Sequence, residues 1–342
     1  MTVHAFTSFS FSYLNRARVL ANSLKQQHPD WVVWAVLTDH SPDGFAFSIE
    51  DEDFDKVVYA EELFGEECEP WLFRHDIVEA CTAVKGQALL HILDQPDAEK
   101  VIYFDPDIAV FSSMDPVVEL LDNWSIVLTP HQTTPETEDI AIRDNEITSL
   151  DYGTYNLGFL AVRNDGETRA FAEWWTERLY KWCLDRLDIG VFVDQKWCNL
   201  IPCYFDSVKV LRDPGYNVAS WNLSHRTVKI SPQGDILVND VPLRFFHFTK
   251  LGVVGNTMTE RYARDNLEVY EVWAWYEQEV EKYTEPAIPN RWWHFGTFRN
   301  GAAIPKAVRE LYREREDLQA SFKKPYGEDF FEWVKANTDL LS

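Results

Sequence analysis

Apolar and polar positions follow two different periods along roughly the first 250 residues. Short runs rich in β-branched and aromatic residues are typical of buried strands, and stretches whose apolar residues recur every three or four positions are typical of helices. The predicted strands cover residues 3–9, 31–37, 57–59, 101–104, 125–129, 159–162 and 208–211, and the predicted helices cover 13–24, 73–93 and 167–187. Strands that alternate with helices favour an α/β fold with a mostly parallel sheet.

The remaining segments have a less regular pattern. Residues 61–69 and 130–149 are polar and acidic, so we expect the first to be an exposed loop and the second a mobile loop or lid. Residues 236–244 are expected to form a small hairpin. Beyond residue 260 the apolar positions again follow a helical period, which predicts amphipathic helices at the C-terminal end of this sequence.

The run at residues 100–111, KVIYFDPDIAVF, joins a buried strand to two acids. Pro106 cannot donate a hydrogen bond within a sheet, so the strand should end there and place Asp105 and Asp107 at its carboxyl edge. Open α/β sheets bind ligands at that edge. Two neighbouring carboxylates repel each other, and a divalent cation relieves this repulsion. Asp-Pro-Asp is also an ordinary turn sequence, so the acids alone leave both interpretations open.

Polar side chains follow other predicted strands. Thr7 and Ser8 lie at the end of the first strand, where a nucleotide could bind or where hydroxyl groups could simply meet water. His247 lies in the apolar run RFFHFTK, with Lys250 just beyond it, and could be either a core histidine or a metal ligand. Asp194 of FVDQKW could be the N-cap of the short helical pattern that follows.

Composition narrows the class of ligand. The 342 residues carry a formal charge of −24, which argues against a nucleic-acid backbone or an anionic membrane surface as partner. A phosphate ligand would therefore need a metal ion or local Lys and Arg side chains. Aromatic residues make up 15% of the chain, including 14 Trp. They suit sugar rings and nucleobases, but they suit a hydrophobic core equally well.

Cysteine usage and hydropathy predict the compartment. Five cysteines without a CxxC pair or a zinc-like spacing are typical of reduced thiols in a cytosolic protein. The first residues, MTVHAFTSFSFSYLNRAR, lack the features of a signal peptide, and no later stretch reaches the roughly 18 apolar residues of a membrane span. We therefore expect a cytoplasmic protein without a transmembrane segment.

Five motifs in order resemble a known family. The strand with Asp-x-Asp is followed by YNLGFLAVRN, FVDQKW, DPGYNVASWNL and FHF, and this order resembles bacterial glycosyltransferases of the GT-A fold, particularly the family-8-like retaining galactosyl- and glucosyltransferases. The resemblance implies a Rossmann-like, mixed and mostly parallel sheet flanked by helices, with a C-terminal helical appendage. It implies a catalytic domain at residues 1–255, with a nucleotide-sugar half at about 1–130 and an acceptor half at about 131–255, followed by a helical extension at 256–342.

The resemblance also implies roles for individual residues. Asp105 and Asp107 would hold Mn²⁺ or Mg²⁺ bridging the diphosphate of a nucleotide sugar, usually UDP-linked, with His247 as the third protein ligand. The resemblance also assigns Lys85, Asn156 and Lys250 to the donor site, which Thr7 and Ser8 would join because of their position after the first strand. Of these, Asn156 would contact the donor sugar and Lys250 would neutralise phosphate. Asp194 and Gln195 match an acidic-amide pair near the reacting sugar carbon and the acceptor.

The resulting functional prediction is a metal-dependent transfer of a hexose from a UDP-sugar to a glycan or another hydroxyl acceptor, with retention of configuration. Asp194 or Gln195 could stabilise the sugar cation, or the leaving phosphate could deprotonate the acceptor, and the sequence leaves these options open. The alternatives are a sugar-nucleotide nucleotidyltransferase, a phosphohydrolase of the haloacid-dehalogenase type, and a carbohydrate-binding protein on the same scaffold. FTSFSFSYLNRAR lacks the glycine-rich loop of the first, and the acids lie far from the N-terminal position typical of the second.

Overall fold

The structure is a computed structural model that describes residues 2–341. Within this range the strands are β1 (Val3–Phe9), β2 (Val32–Leu37), β3 (Lys56–Tyr59), β4 (Lys100–Phe104), β5 (Ile108–Val110), β6 (Ile126–Pro130), β7 (Tyr155–Arg163), β8 (Asp185–Arg186), β9 (Val191–Phe192), β10 (Val208–Val210), β11 (Val228–Ile230), β12 (Ile236–Val238), β13 (Val241–Pro242) and β14 (Phe245–His247).

The helices are α1 (Leu14–Gln27), α2 (Ala60–Phe64), α3 (Cys68–Phe73), α4 (Ile77–Leu93), α5 (Asp115–Leu120), α6 (Asp139–Ala141), α7 (Thr148–Tyr152), α8 (Gly166–Trp182), α9 (Ile201–Tyr204), α10 (Val253–Ala263), α11 (Leu267–Lys282), α12 (Lys306–Glu314), α13 (Glu316–Ser321) and α14 (Glu328–Ala336). Single 3₁₀ turns connect several of them, and a π-helical turn at Ile142–Ile147 joins α6 to α7.

A seven-stranded sheet of order β10-β6-β7-β4-β1-β2-β3 forms the centre of the fold. β7 runs antiparallel to its neighbours β4 and β6, and the other strands are parallel. β1 and β4 are buried along their whole length, as expected for parallel strands covered on both faces. The predicted fold class, α/β with a mostly parallel sheet flanked by helices and a helical C-terminal region, is confirmed.

A two-stranded sheet beside the main one brings distant residues together. β5 begins directly after Asp107 and pairs antiparallel with β14, in a register that places His247 opposite Ile108. The backbone N–H of Phe248 donates to the carbonyl of Asp107 at 2.8 Å, which extends this pairing. The central strand does end before Pro106, as the sequence predicted, and the two acids occupy the turn between β4 and β5.

Two predicted helix boundaries were wrong. The helix expected from residue 73 begins at Ile77, because the Asp76 carboxylate accepts the N–H groups of Val78 and Glu79 as an N-cap. The helix expected to reach residue 187 ends at Trp182, and the chain then forms the short ladder between β8 and β9.

Two predicted loops also proved to be largely helical. Residues 61–69 lie in α2, a 3₁₀ turn and α3, where the acids Glu62, Glu66 and Glu67 are exposed while Cys68 is buried. In the second segment, helical turns begin at Asp139, and Asn145 is buried with its amide N–H donating to Glu136 at 2.7 Å. In the first segment the acids cover the exposed face of short helices, whereas in the second the polar Asn145 is buried and Ile140 is exposed, so polarity did not indicate the absence of structure in either.

The C-terminal helices contribute to two of the hydrophobic cores. α10 and α11 pack with Phe246 and Phe248, and α12 to α14 join the core that contains Phe73. The domain boundary predicted at 255/256 lies inside α10, and the division into domains stays a prediction. Among residues 2–341, no helix combines the length and apolar character that crossing a bilayer requires.

Candidate functional site

A cavity of about 610 Å³ opens beyond the turn that carries the two acids. It is lined by eight of the residues that the sequence singled out, namely Lys85, Asp105, Asp107, Asn156, Asp194, Gln195, His247 and Lys250. They come from α4, the β4–β5 turn, β7, the segment after β9, and β14 with the turn that follows it. The fold therefore collects at one place side chains that are far apart in sequence.

Asp105, Asp107 and His247 form a cluster able to hold one metal ion. One ligand atom from each lies within 4.8 Å of the other two. His247 Nε2 lies 3.0 Å from Asp107 Oδ1 and 3.8 Å from Asp105 Oδ2. Burial by itself lowers the pKa of His247, but Asp107 outweighs this effect and raises the pKa above its ordinary value. Two carboxylates and one imidazole beside an open cavity are a donor set that suits a divalent ion such as Mn²⁺.

Gly158 on β7 permits this cluster to form. A Cβ atom at this position would lie 2.5 Å from His247 Cε1 and 2.7 Å from Asn156 Oδ1. Only a residue without a side chain lets the imidazole reach the acids. Asn156 Oδ1 in turn lies 3.2 Å from His247 Nδ1, so the asparagine orients the ring from behind.

Lys85 lies between the three side chains of this cluster and Asp194. The side chain is 2% exposed, and Nζ lies 3.1 Å from Asp105 Oδ1, 2.9 Å from Asp194 Oδ2 and 3.2 Å from the Leu157 carbonyl. Burial lowers the pKa of Lys85, but Asp105 and Asp194 raise it well above the ordinary value. The ammonium group thus donates hydrogen bonds to Asp105 and Leu157 and forms an ion pair with Asp194.

Asp194 and Gln195 use their side chains in different ways. Asp194 is 2% exposed, and burial raises the pKa of its carboxyl although Lys85 opposes that effect. No side-chain cap accompanies the 3₁₀ turn that follows, so the N-cap alternative for Asp194 was wrong. The Gln195 amide oxygen accepts from Leu157 N–H and its nitrogen donates to the Tyr152 carbonyl, both at 3.1 Å. Gln195 thus ties α7 to β7.

A second cavity of about 220 Å³ shares Asp105 and Asp107 with the first and contains Ser8. The Ser8 hydroxyl donates to the Cys81 carbonyl at 2.6 Å. Thr7 is 1% exposed and, within residues 2–341, lines neither of these two cavities. Lys250 is exposed and lines the larger cavity.

Three residues that sequence reasoning missed belong to the site. His131 follows Pro130 at the end of β6, and its Nε2 lies 3.2 Å from Asn156 Nδ2. Burial lowers the pKa of His131 to about 4, so the ring is neutral near pH 7. Trp221 packs edge-on against His247, and Tyr103 hydrogen bonds to Asp105. His131 could have been predicted from its position just after a predicted strand, since Asp105 has the same kind of position.

Comparisons with known proteins find similar sequences and structures but do not assign the chain to a family. No family model matches the chain. Two curated proteins of Bacillus subtilis (strain 168) are similar, the uncharacterized protein YfnF at 28% identity over 185 residues and the uncharacterized protein YfnD at 27% over 181 residues. Each alignment covers 52% of this chain, and it spans 59% of YfnF and 55% of YfnD, little more than half of either relative.

Similar solved structures are glycosyltransferases, the class named by the motif resemblance. The galactosyltransferase LgtC, solved with donor and acceptor sugar analogs, is 17% identical with a TM-score of 0.45, covering 85% of this chain and 99% of LgtC. The glycosyltransferase GlyE of Streptococcus pneumoniae TIGR4 is 12% identical with a TM-score of 0.46, covering 82% of this chain and 63% of GlyE. Similarity at this level does not transfer an activity, so the function has to be argued from the site.

Proposed function

We propose that the chain is a metal-dependent glycosyltransferase that moves a hexose from a nucleotide diphosphate donor, a UDP-sugar, to a hydroxyl acceptor with retention of configuration. The observation that carries this proposal is the convergence of Asp105, Asp107 and His247 within 4.8 Å at the wall of the 610 Å³ cavity. A carbohydrate-binding protein does not require such a metal-ligand set, because sugar hydroxyls can be bound by ordinary polar side chains.

Charge supports a diphosphate ligand at this position. A chain with a formal charge of −24 repels an anionic donor unless positive charge is provided locally. A divalent ion held by Asp105, Asp107 and His247 would supply that charge to the leaving diphosphate. Lys250 lines the same cavity and can add a second positive charge from its exposed side chain.

Asp194 is the residue we assign to the sugar. Transfer breaks the bond between the anomeric carbon and the diphosphate and forms a bond from that carbon to the acceptor oxygen. A carboxylate lining the cavity can stabilise the positive charge that develops on the sugar, and the departing diphosphate can take the acceptor proton. Gln195 is a weaker candidate for this role than the sequence suggested, because both polar atoms of its amide already bond to backbone groups.

The proposal is tested by titration calorimetry with UDP in the presence and absence of Mn²⁺. We expect binding to depend on Mn²⁺ and to weaken about 100-fold or more in Asp107→Asn, since even the outer partners of metal ligands are worth roughly 10- to 100-fold. The unfolding temperature should change little. Asp188→Asn is a matched control, because Asp188 is an exposed acid that pairs with Arg186. Equal UDP affinity in the wild type and Asp107→Asn would reject the proposal.

Donor and stereochemistry need separate measurements. A thermal-shift screen of nucleotide sugars with Mn²⁺ should give its largest stabilisation with a UDP-hexose. The anomeric configuration of the product, followed by NMR before mutarotation, should match that of the donor. An inverted product would remove retention from the proposal while leaving the metal-dependent transfer in place.

A further inference from the structure

The hydroxyl group of Tyr103 contacts Asp105, one of the three candidate metal ligands, from an otherwise apolar strand. Tyr103 is 1% exposed on β4 between Ile102 and Phe104, and its ring packs edge-on against Phe6 with 4.9 Å between centroids. Its hydroxyl donates to Asp105 Oδ1 at 2.6 Å. A phenylalanine would fill the same space in the core, so packing alone does not explain the hydroxyl group.

The hydrogen bonds around Tyr103 determine which oxygen of Asp105 is free. Oδ1 accepts from Tyr103 and also from Lys85 Nζ at 3.1 Å, and the Lys85 ammonium lies 4.1 Å from the centroid of the Tyr103 ring. The other oxygen, Oδ2, is the one that faces His247 Nε2, at 3.8 Å. The two oxygens of this carboxylate therefore face different partners.

Ser8 lies beside the Tyr103 hydroxyl, but the shorter hydrogen bond of that hydroxyl is the one to Asp105. The Ser8 hydroxyl lies 3.2 Å from the Tyr103 hydroxyl, but it donates its single proton to the Cys81 carbonyl at 2.6 Å. Ser8 therefore gives no proton to Tyr103, and the Tyr103 proton is donated to Asp105. This gives Ser8 a place in the site that differs from contact with a nucleotide.

We propose that Tyr103 is a positioning residue that holds Asp105 as a ligand with one oxygen, Oδ2, and thereby favours Mn²⁺ over Ca²⁺. The inference rests on the proposed function, since it concerns the same metal site. Ca²⁺ takes six to eight oxygen ligands and commonly binds carboxylates through both oxygens, whereas Mn²⁺ accepts fewer ligands, including imidazole nitrogen. Because Oδ1 of Asp105 already accepts two hydrogen bonds, this carboxylate cannot bind Ca²⁺ through both oxygens.

The test compares Mn²⁺ and Ca²⁺ affinities of the wild type, Tyr103→Phe and Tyr312→Phe by titration calorimetry without nucleotide. Tyr312 is a matched control, because it is also fully buried and donates one hydrogen bond, to the Phe322 carbonyl at 3.0 Å, away from the cavity. For Tyr103→Phe we expect the Mn²⁺ affinity to fall about tenfold, the usual size of such an outer-partner effect. The ratio of Mn²⁺ to Ca²⁺ affinity should fall as well, and Tyr312→Phe should keep both wild-type values.

Failure of the inference and failure of the proposed function give different results. A wild-type protein that binds Mn²⁺, with an unchanged Mn²⁺ to Ca²⁺ ratio in Tyr103→Phe, would overturn the inference and leave the proposed function standing. Equal losses in Tyr103→Phe and Tyr312→Phe would also overturn it, since the effect would then be general destabilisation. A wild-type protein that binds no Mn²⁺ would overturn both.

Discussion

The 610 Å³ cavity and the junction, where α12 to α14 meet the core around Phe73, both bury cations, but the partners of those cations differ. At the junction, the Arg309 guanidinium is 3% exposed and donates to the carbonyls of Phe73, His75 and Phe295 at 3.4, 3.0 and 2.5 Å. These acceptors are neutral. At the cavity, the equally buried Lys85 is shared by two carboxylates, Asp105 and Asp194.

The difference lies in the balance of charge. Next to Arg309, Arg313 pairs with Glu79 at 3.2 Å and with Glu310 at 4.0 Å, so cations and acids alternate there. At the cavity, the three carboxylates of Asp105, Asp107 and Asp194 have one buried lysine, Lys85, as their cation, together with the imidazole of His247 beside Asp107. Burying like charges without compensation is costly. The charges at the junction are therefore balanced without a ligand, whereas the cavity keeps an excess of negative charge that a divalent ion would balance.

Replacing Lys85 should have the largest effect on stability. Lys85→Met leaves Asp105 and Asp194 without their cation, and breaking a buried pair in this way costs about 3–5 kcal/mol. Urea unfolding at pH 7 measures this loss, and Mn²⁺ should restore part of it. Lys100→Met is a matched control, because Lys100 is also buried but pairs with Asp122, which is 54% exposed, and should cost about 1 kcal/mol or less. Similar losses in the two variants would break the comparison.

Replacing Asp194 should separate binding from turnover. Asp194→Ala removes the acid that we assign to the sugar but none of the metal-binding side chains, so Mn²⁺-dependent UDP affinity should stay near the wild-type value. Transfer should fall about 100-fold or more, the usual size of a lost electrostatic contact in a transition state. Rates with a UDP-hexose at saturation measure this. Unchanged transfer would remove Asp194 from the reaction, and Asp188→Ala should be silent in both assays.

The smallest expected effect is a pH dependence at the junction. Burial lowers the pKa of His75 to about 3. The hydrogen bond that Nδ1–H donates to the Trp71 carbonyl at 2.8 Å acts in the opposite direction but is the smaller effect. A histidine with a lowered pKa contributes its full stability above the unfolded-state pKa of about 6.5, and this contribution is lost as pH falls from there toward 3. From pH 7 to pH 5 the wild type should lose about 2 kcal/mol more than His75→Phe.

Urea unfolding of both proteins at the two pH values gives the answer. Parallel losses in the wild type and His75→Phe would show that His75 is not the group responsible. In that case the stability of the junction would not depend on a neutral His75 ring, although Arg309 donates to neutral carbonyl groups there.

Several features could be predicted from local sequence because they depend on local physics. The apolar runs predicted the strands of the main sheet, since burial on both faces demands such runs. Pro106 predicted the end of β4 and hence the position of the two acids. The polar segments at 61–69 and 130–149 were misjudged, because a short surface helix can be as polar as a loop.

By itself the sequence thus determined the class of fold and the residues that could carry chemistry. The tertiary structure decided which of these residues meet. The pairing of β14 with β5 brings His247 to Asp107, and the hydrogen bonds of Lys85, Gln195 and Tyr103 show which of their polar atoms are already occupied. Strand pairing between distant segments depends on register and packing across the whole domain, and the occupancy of a donor or acceptor depends on distances that no local pattern contains.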